Sequence, residues 1–176
     1  MRRILIMAAA LLVSLSCVRS NAADKVKSGD SLPDFVLKSD VYGDLSSMEL
    51  RGKVVYLCFF ATWCPPCQHE LAAVQNKMLP EFGNDEDFIV IAVGREHTDA
   101  QLSEYNKSRN FDFPLYPDPD RTVYSLFAEE TIPRAYVVDR DGVIVDASTG
   151  YDEEHFSIVL KTIRELLDSG SSVEID

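Results

Sequence analysis

Lys53-Val54-Val55-Tyr56-Leu57-Cys58-Phe59-Phe60-Ala61-Thr62-Trp63-Cys64-Pro65-Pro66-Cys67 is the stretch that decides the fold. From Val54 to Phe60 it is continuously apolar and rich in β-branched and aromatic side chains. A run without alternation reads as a strand buried on both faces, at a central position in a sheet. Cys67, Leu71, Val74 and Met78 follow at steps of four, three and four. That is the stripe of an amphipathic helix, which Pro80 is expected to end. Two cysteines three apart across a helix start can bring their sulfurs within disulfide reach. Cys64 falls near the N-cap, where the positive end of the helix dipole lowers a thiol pKa. Pro65 and Pro66 offer no N–H. The first main-chain donor able to reach the Cys64 sulfur is therefore that of Cys67, which implies moderate thiolate stabilisation.

Outward from this stretch the chain alternates. Phe88–Val93 is a second buried strand, Asp99–Ser108 a polar helix, and Phe113–Tyr116 a short extended piece before the turn Pro117-Asp118-Pro119. Residues 121–128 read as a short helix. Ala135–Asp139 and Val143–Asp146 are strands joined by Arg140-Asp141-Gly142, a hairpin signal. Asp139–Gly142 faintly resembles the start of a calcium loop, but the remaining ligands are missing. Phe156, Val159, Leu160, Ile163, Leu166 and Leu167 line a closing helix. Near the start, Asp34–Lys38 and Tyr42–Met48 suggest a small hairpin. Helices alternating with strands predict an α/β sandwich with a mixed sheet and an N-terminal hairpin extension. The organisation expected is a signal over 1–22, a linker over 23–30, one domain over 31–168 and a tail over 169–176.

Composition narrows the function. The chain has 176 residues, 46% hydrophobic, with a formal net charge of −12. Such a surface repels phosphate backbones, so nucleic acid is excluded as a partner. A zinc site needs about four ligands. One cysteine pair and the scattered His69, His97 and His155 do not supply them, so no metal is expected. A structural disulfide spanning three residues closes too small a loop to stabilise much. Redox chemistry is the stronger reading.

Arg2 and Arg3 precede an unbroken apolar run from Ile4 to Val13, then small residues and Cys17. This is the layout of a secretory signal, too short to span a bilayer. Ser20-Asn21-Ala22 permits cleavage after Ala22. Ser14-Leu15-Ser16-Cys17 resembles a bacterial lipobox, with Ser14 where that pattern has leucine, and lipidation at Cys17 is the preferred route. Either places the protein outside the cytoplasm, where disulfides persist.

Trp63-Cys64-Pro65-Pro66-Cys67 after a buried strand resembles the thioredoxin fold. With the export signal, Glu70 and Thr131-Ile132-Pro133, the chain resembles the TlpA/ResA-like envelope thiol–disulfide oxidoreductases over roughly Ser31 to Leu167. The resemblance implies a three-layer sandwich with helices on both faces of the sheet. It implies Cys64 as nucleophile, Cys67 as the more buried resolving thiol and Glu70 as a proton acceptor for Cys67. It also implies a cis Pro133 packed against the pair, and an Ile132 backbone that pairs with an extended substrate. Trp63 shields the thiols or packs as a half-buried aromatic, and Pro65 and Pro66 face the substrate. Partners would be protein disulfides or dithiols and a membrane thiol donor of electrons, with no diffusible cofactor. The direction expected is reductive, in cytochrome c maturation or envelope thiol maintenance. Cys58 departs from thioredoxins, which carry a buried aspartate there, and reads as an inert core residue. On sequence alone the preferred reading of Glu70 is an exposed surface glutamate. Arg134 reads as a solvated strand end or a contact for an acidic partner. A thiol peroxidase of the peroxiredoxin type and a non-catalytic binding module are the alternatives. The first needs a threonine three before its cysteine, and Thr62 is one residue too close.

Overall fold

A computed structural model describes residues 24–170. The signal segment with Cys17, and the end of the tail from 171 onward, lie outside the described residues. In chain order the elements begin with a small antiparallel hairpin, β1 (Val36–Leu37) and β2 (Leu45–Ser46), and a 3-10 turn over Ser47–Leu50. Then come β3 (Val54–Phe60), α1 (Pro65–Ala73), a wide π turn over Val74–Met78, α2 (Leu79–Phe82) and β4 (Phe88–Arg95). They are followed by α3 (Asp99–Arg109), β5 (Leu115–Asp118), α4 (Tyr124–Phe127), β6 (Arg134–Val138), β7 (Ile144–Thr149) and α5 (Glu153–Gly170).

The main sheet runs β5-β4-β3-β6-β7. β3, β4 and β5 are parallel, while β6 runs against β3 and β7 against β6. Every residue of β3 is buried, as its unbroken apolar run requires. Val54, Tyr56, Cys58 and Phe60 face a core built with Leu71 and Val74 after the cysteines, Leu102 of α3, and Phe156, Val159 and Ile163 of α5. Val55, Leu57 and Phe59 face the other way, onto Phe35 and Leu37 of the hairpin region and Tyr124 and Phe127 of α4. The result is the mixed-sheet α/β sandwich expected, with α4 and the hairpin forming its second outer layer. Gly94 of β4 lets α3 close in, since a Cβ there would lie 2.6 Å from Leu102 Cδ2.

Three local expectations give way to tertiary context. Pro80 does not end the first helix; the chain stays helical to Phe82. The π turn widens the coil just ahead of it, with the Leu79 N–H bonded to Val74 O. Pro117 and Asp118 belong to β5 rather than a turn. β5 ends the hydrogen-bonded order of the sheet, where a strand tolerates proline. Asp118 caps α4, accepting from Val123 N at 3.2 Å and Tyr124 N at 2.8 Å. The described part of the segment expected as a linker, from Asp24 onward, is bonded to the domain. Asp24 bridges Ala128, Lys25 N donates to Phe127 O at 2.9 Å, and Gly29 N donates to Ile144 O at 2.8 Å.

Candidate active site

The strand β3 delivers the chain to the N-terminus of α1, where Cys64 is the N-cap and Pro65 and Pro66 fill the first helical positions. Proline suits the first turn because its missing N–H has no acceptor there. Cys64 and Cys67 form a disulfide with Cα atoms 5.3 Å apart. Cys67 is fully enclosed and Cys64 keeps a trace of exposure. The Cys67 N–H points to the Cys64 sulfur at 3.3 Å, the donor that two prolines leave available. Trp63 stands 64% exposed beside them. It is a surface aromatic rather than a half-buried packing one. Pro65 and Pro66 are also exposed.

The loop between β3 and α1 is braced by two residues whose part the sequence did not reveal. His97 is buried, with Nδ1 2.8 Å from Arg95 O and Nε2 2.8 Å from the Thr62 hydroxyl. The Thr62 N–H also points at Nε2, at 3.4 Å. A carbonyl at Nδ1 and the Thr62 N–H at Nε2 suit the tautomer that carries its proton on Nδ1. Gln68 closes the same loop by donating to Thr62 O at 2.7 Å. His97 lies thirty-five residues from Thr62, and nothing local marks the pairing.

The opposite wall is the segment before β6. The Ile132–Pro133 bond is cis. Ile132 O lies 3.9 Å from Cys64 Sγ, so this loop sits directly on the redox pair. Thr131 adopts φ +72°, a left-handed conformation that costs a β-branched residue energy. Its carbonyl is held by the Tyr124 hydroxyl at 2.8 Å and Arg134 Nε at 3.1 Å. Arg134 also donates to Glu130 O and to Thr149 Oγ1, both at 3.0 Å, and pairs with Asp24. Arg134 is therefore buried and committed, neither solvated nor free for a partner.

Glu70 lies one helical turn past Cys67 on α1 and is only 3% exposed. Its Oε1 accepts from the Tyr56 hydroxyl at 2.7 Å, and its Oε2 has no hydrogen-bond partner among the described residues. Burial pushes its carboxyl up to about 7, against a smaller lowering by the tyrosine. Cys58 lies on the same face of β3, and burial, with the Glu70 charge, pushes its thiol up. An ionised Cys58 is disfavoured, which fits a core residue. Among the described residues no three His, Cys, Asp or Glu side chains gather to hold a metal.

The comparisons agree with this geometry. The AhpC/TSA family profile matches residues 28–147. The thiol-disulfide oxidoreductase ResA of Bacillus cereus is 27% identical over 128 residues, 72% of each chain. The thioredoxin-like protein YneN of Bacillus subtilis (strain 168) is 31% identical over 129 residues, 71% of this chain and 73% of that one. A Bacteroides thetaiotaomicron structure, described as a candidate protein disulfide isomerase, superposes with a TM-score of 0.80 at 29% identity. It covers 85% of this chain and 96% of that one. With its cysteine pair on a helix N-terminus against a cis-proline loop, the chain belongs to the AhpC/TSA family and is a thiol–disulfide oxidoreductase of thioredoxin fold.

Proposed function

We propose that the chain reduces protein disulfides outside the cytoplasm, with Cys64 attacking and Cys67 resolving. The observation that carries this is the Cys64–Cys67 pair at the start of α1, set 3.9 Å from the cis-proline loop. Cys64 thiolate attacks a substrate disulfide; a Cys64–substrate bond forms and the first substrate sulfur leaves as thiolate. Cys67 gives its proton to Glu70, and its thiolate attacks the Cys64 sulfur. The second substrate sulfur leaves and takes up a proton. The substrate gains two electrons and the pair becomes the disulfide. An extended substrate segment pairs with the Ile132 backbone beside Pro133, while Trp63, Pro65 and Pro66 offer it an apolar rim. Arg134 and Tyr124 keep that loop in place.

The reductive direction follows from the sparse thiolate support at Cys64, one N–H donor and no histidine between the cysteines. A reductase must be fed, and a membrane thiol protein is the donor proposed. Cytochrome c maturation and envelope thiol maintenance are the tasks that fit, with Cys17 as a lipid anchor. The peroxidase alternative loses ground, because the Thr62 hydroxyl is bonded to His97. Two measurements test the reading. Cys67→Ser is expected to accumulate a Cys64–substrate mixed disulfide on exposure to envelope proteins, and Cys64→Ser to trap none. The reduction potential, taken with Cys58→Ala as control, is expected near the thioredoxin value of about −270 mV. A value near about −120 mV makes the chain an oxidant, and a pair that does not titrate reversibly removes the enzyme reading.

A further inference from the structure

Tyr56 is enclosed, and its ring stands edge-on to Phe156 at 6.3 Å between centroids. A tyrosine used only to fill a core still has a hydroxyl to satisfy. Here the hydroxyl goes to one oxygen of Glu70 at 2.7 Å and leaves the other oxygen buried without a partner among the described residues. A buried orphan acceptor in a native fold calls for a reason. We propose that Tyr56 is a positioning residue for the resolving step, holding Glu70 by Oε1 so that Oε2 is the atom that takes the Cys67 proton. This rests on Glu70 as the acceptor and names what aims it.

The chemistry is consistent with the placement. Burial and the neighbouring carboxylate push the Tyr56 phenol well above its ordinary value, so it remains a donor throughout. A donor fixed on the carboxylate favours its charged form, which partly offsets burial. The acceptor is thus kept ionised for a useful fraction of the time near neutral pH. Groups that face this pair are Cys58 on β3, Tyr151 ahead of α5, and Asp146 on β7, which is itself 3.1 Å from His155 of α5. Only Tyr56 holds Glu70 by a hydrogen bond among them.

The test uses the reduced full chain mixed rapidly with dithiobis-nitrobenzoate. Release of the first thionitrobenzoate reports Cys64 attack, and release of the second reports resolution by Cys67. In the unmodified chain the second rate is expected to rise with pH through about 7. Tyr56→Phe keeps the ring and is expected to move that rise up by about one pH unit, so that resolution at pH 7 slows about fivefold while the first release is unchanged. Glu70→Gln is expected to abolish the rise, and the double variant to match Glu70→Gln. Fluorotyrosine at position 56, a stronger donor, is expected to move the rise downward, and it serves if the phenylalanine variant does not fold. A Tyr56→Phe effect equal at every pH, or one additive with Glu70→Gln, overturns the proposal. If Glu70→Gln leaves the pH rise intact, the acceptor reading falls with it. If glutamine abolishes the rise and the position-56 variants do not move it, only the role of Tyr56 falls.

Discussion

Glu70 shows how one side chain can carry a cost that its site uses. A carboxyl out of water favours its neutral form, and here the folded-state value is about 7 against an ordinary 4.5. The folded chain therefore holds this proton more tightly than the unfolded chain does. Stability associated with Glu70 is full below about 4.5 and declines as pH rises to about 7. Glu70→Gln removes the titration and keeps the shape. The glutamine variant is expected to gain on the parent across that window, reaching about 3 kcal/mol above it. Urea midpoints measured from pH 4 to pH 8 check this, and a difference that stays flat with pH contradicts it. Activity is expected to fall in the same variant, a trade of stability for function. Its spacing from Cys67 put Glu70 on the right face, but the residue type alone favours an exposed position, and the structure buries it instead. The decision is tertiary: Tyr56 of β3 hydrogen-bonds Glu70, and the Glu70 charge is felt by Tyr151, far along the chain.

At the level of elements, the N-terminus of α1 is tuned by what it lacks. Two prolines withhold two N–H groups, and among the described residues Cys67 N is the donor that reaches the Cys64 sulfur, at 3.3 Å. Pro66→Ala restores one donor in the first turn. The Cys64 thiol is expected to titrate lower, and the pair to become more oxidising as its reduced form gains stability. Ultraviolet titration of the thiolate checks the first part; an unchanged midpoint would show that the prolines do not limit Cys64. This feature was legible because it depends on a few adjacent residues. The buried strand β3 and the amphipathic faces of α1 and α5 were legible for the same reason. Pro80 and Pro117 misled because their rules are local. A π turn in one case and an edge position in the other absorb the missing N–H. The cis bond at Pro133 came from family resemblance, not from spacing. Arg134 and His97 were opaque because each acts across tens of residues, on Asp24 and Thr62.

For the whole molecule, a reduction potential is a statement about folding. A thermodynamic cycle links it to the difference in stability between the disulfide and dithiol forms of the chain. An oxidant of the DsbA kind is more stable reduced. A reductase must be the opposite, with a fold that prefers its own disulfide. Two features favour the oxidised form. The Cys64 thiolate has few donors to stabilise it, and Cys67 and its surroundings are dry, so a charge there is costly. The Glu70 carboxylate adds a second negative group near any thiolate, and its effect on Cys58 has the same sign. If the pair lies about 60 mV below the same cysteines in the unfolded chain, the disulfide form is favoured by about 3 kcal/mol. For a chain of this length that is a melting temperature roughly 6–12 °C higher when oxidised. Calorimetry of Cys58→Ala in both redox states, at fixed pH, reads the difference directly. A reduced form that melts higher would reverse the direction of electron flow proposed here and leave the cysteine pair, the cis-proline loop and the family as they are.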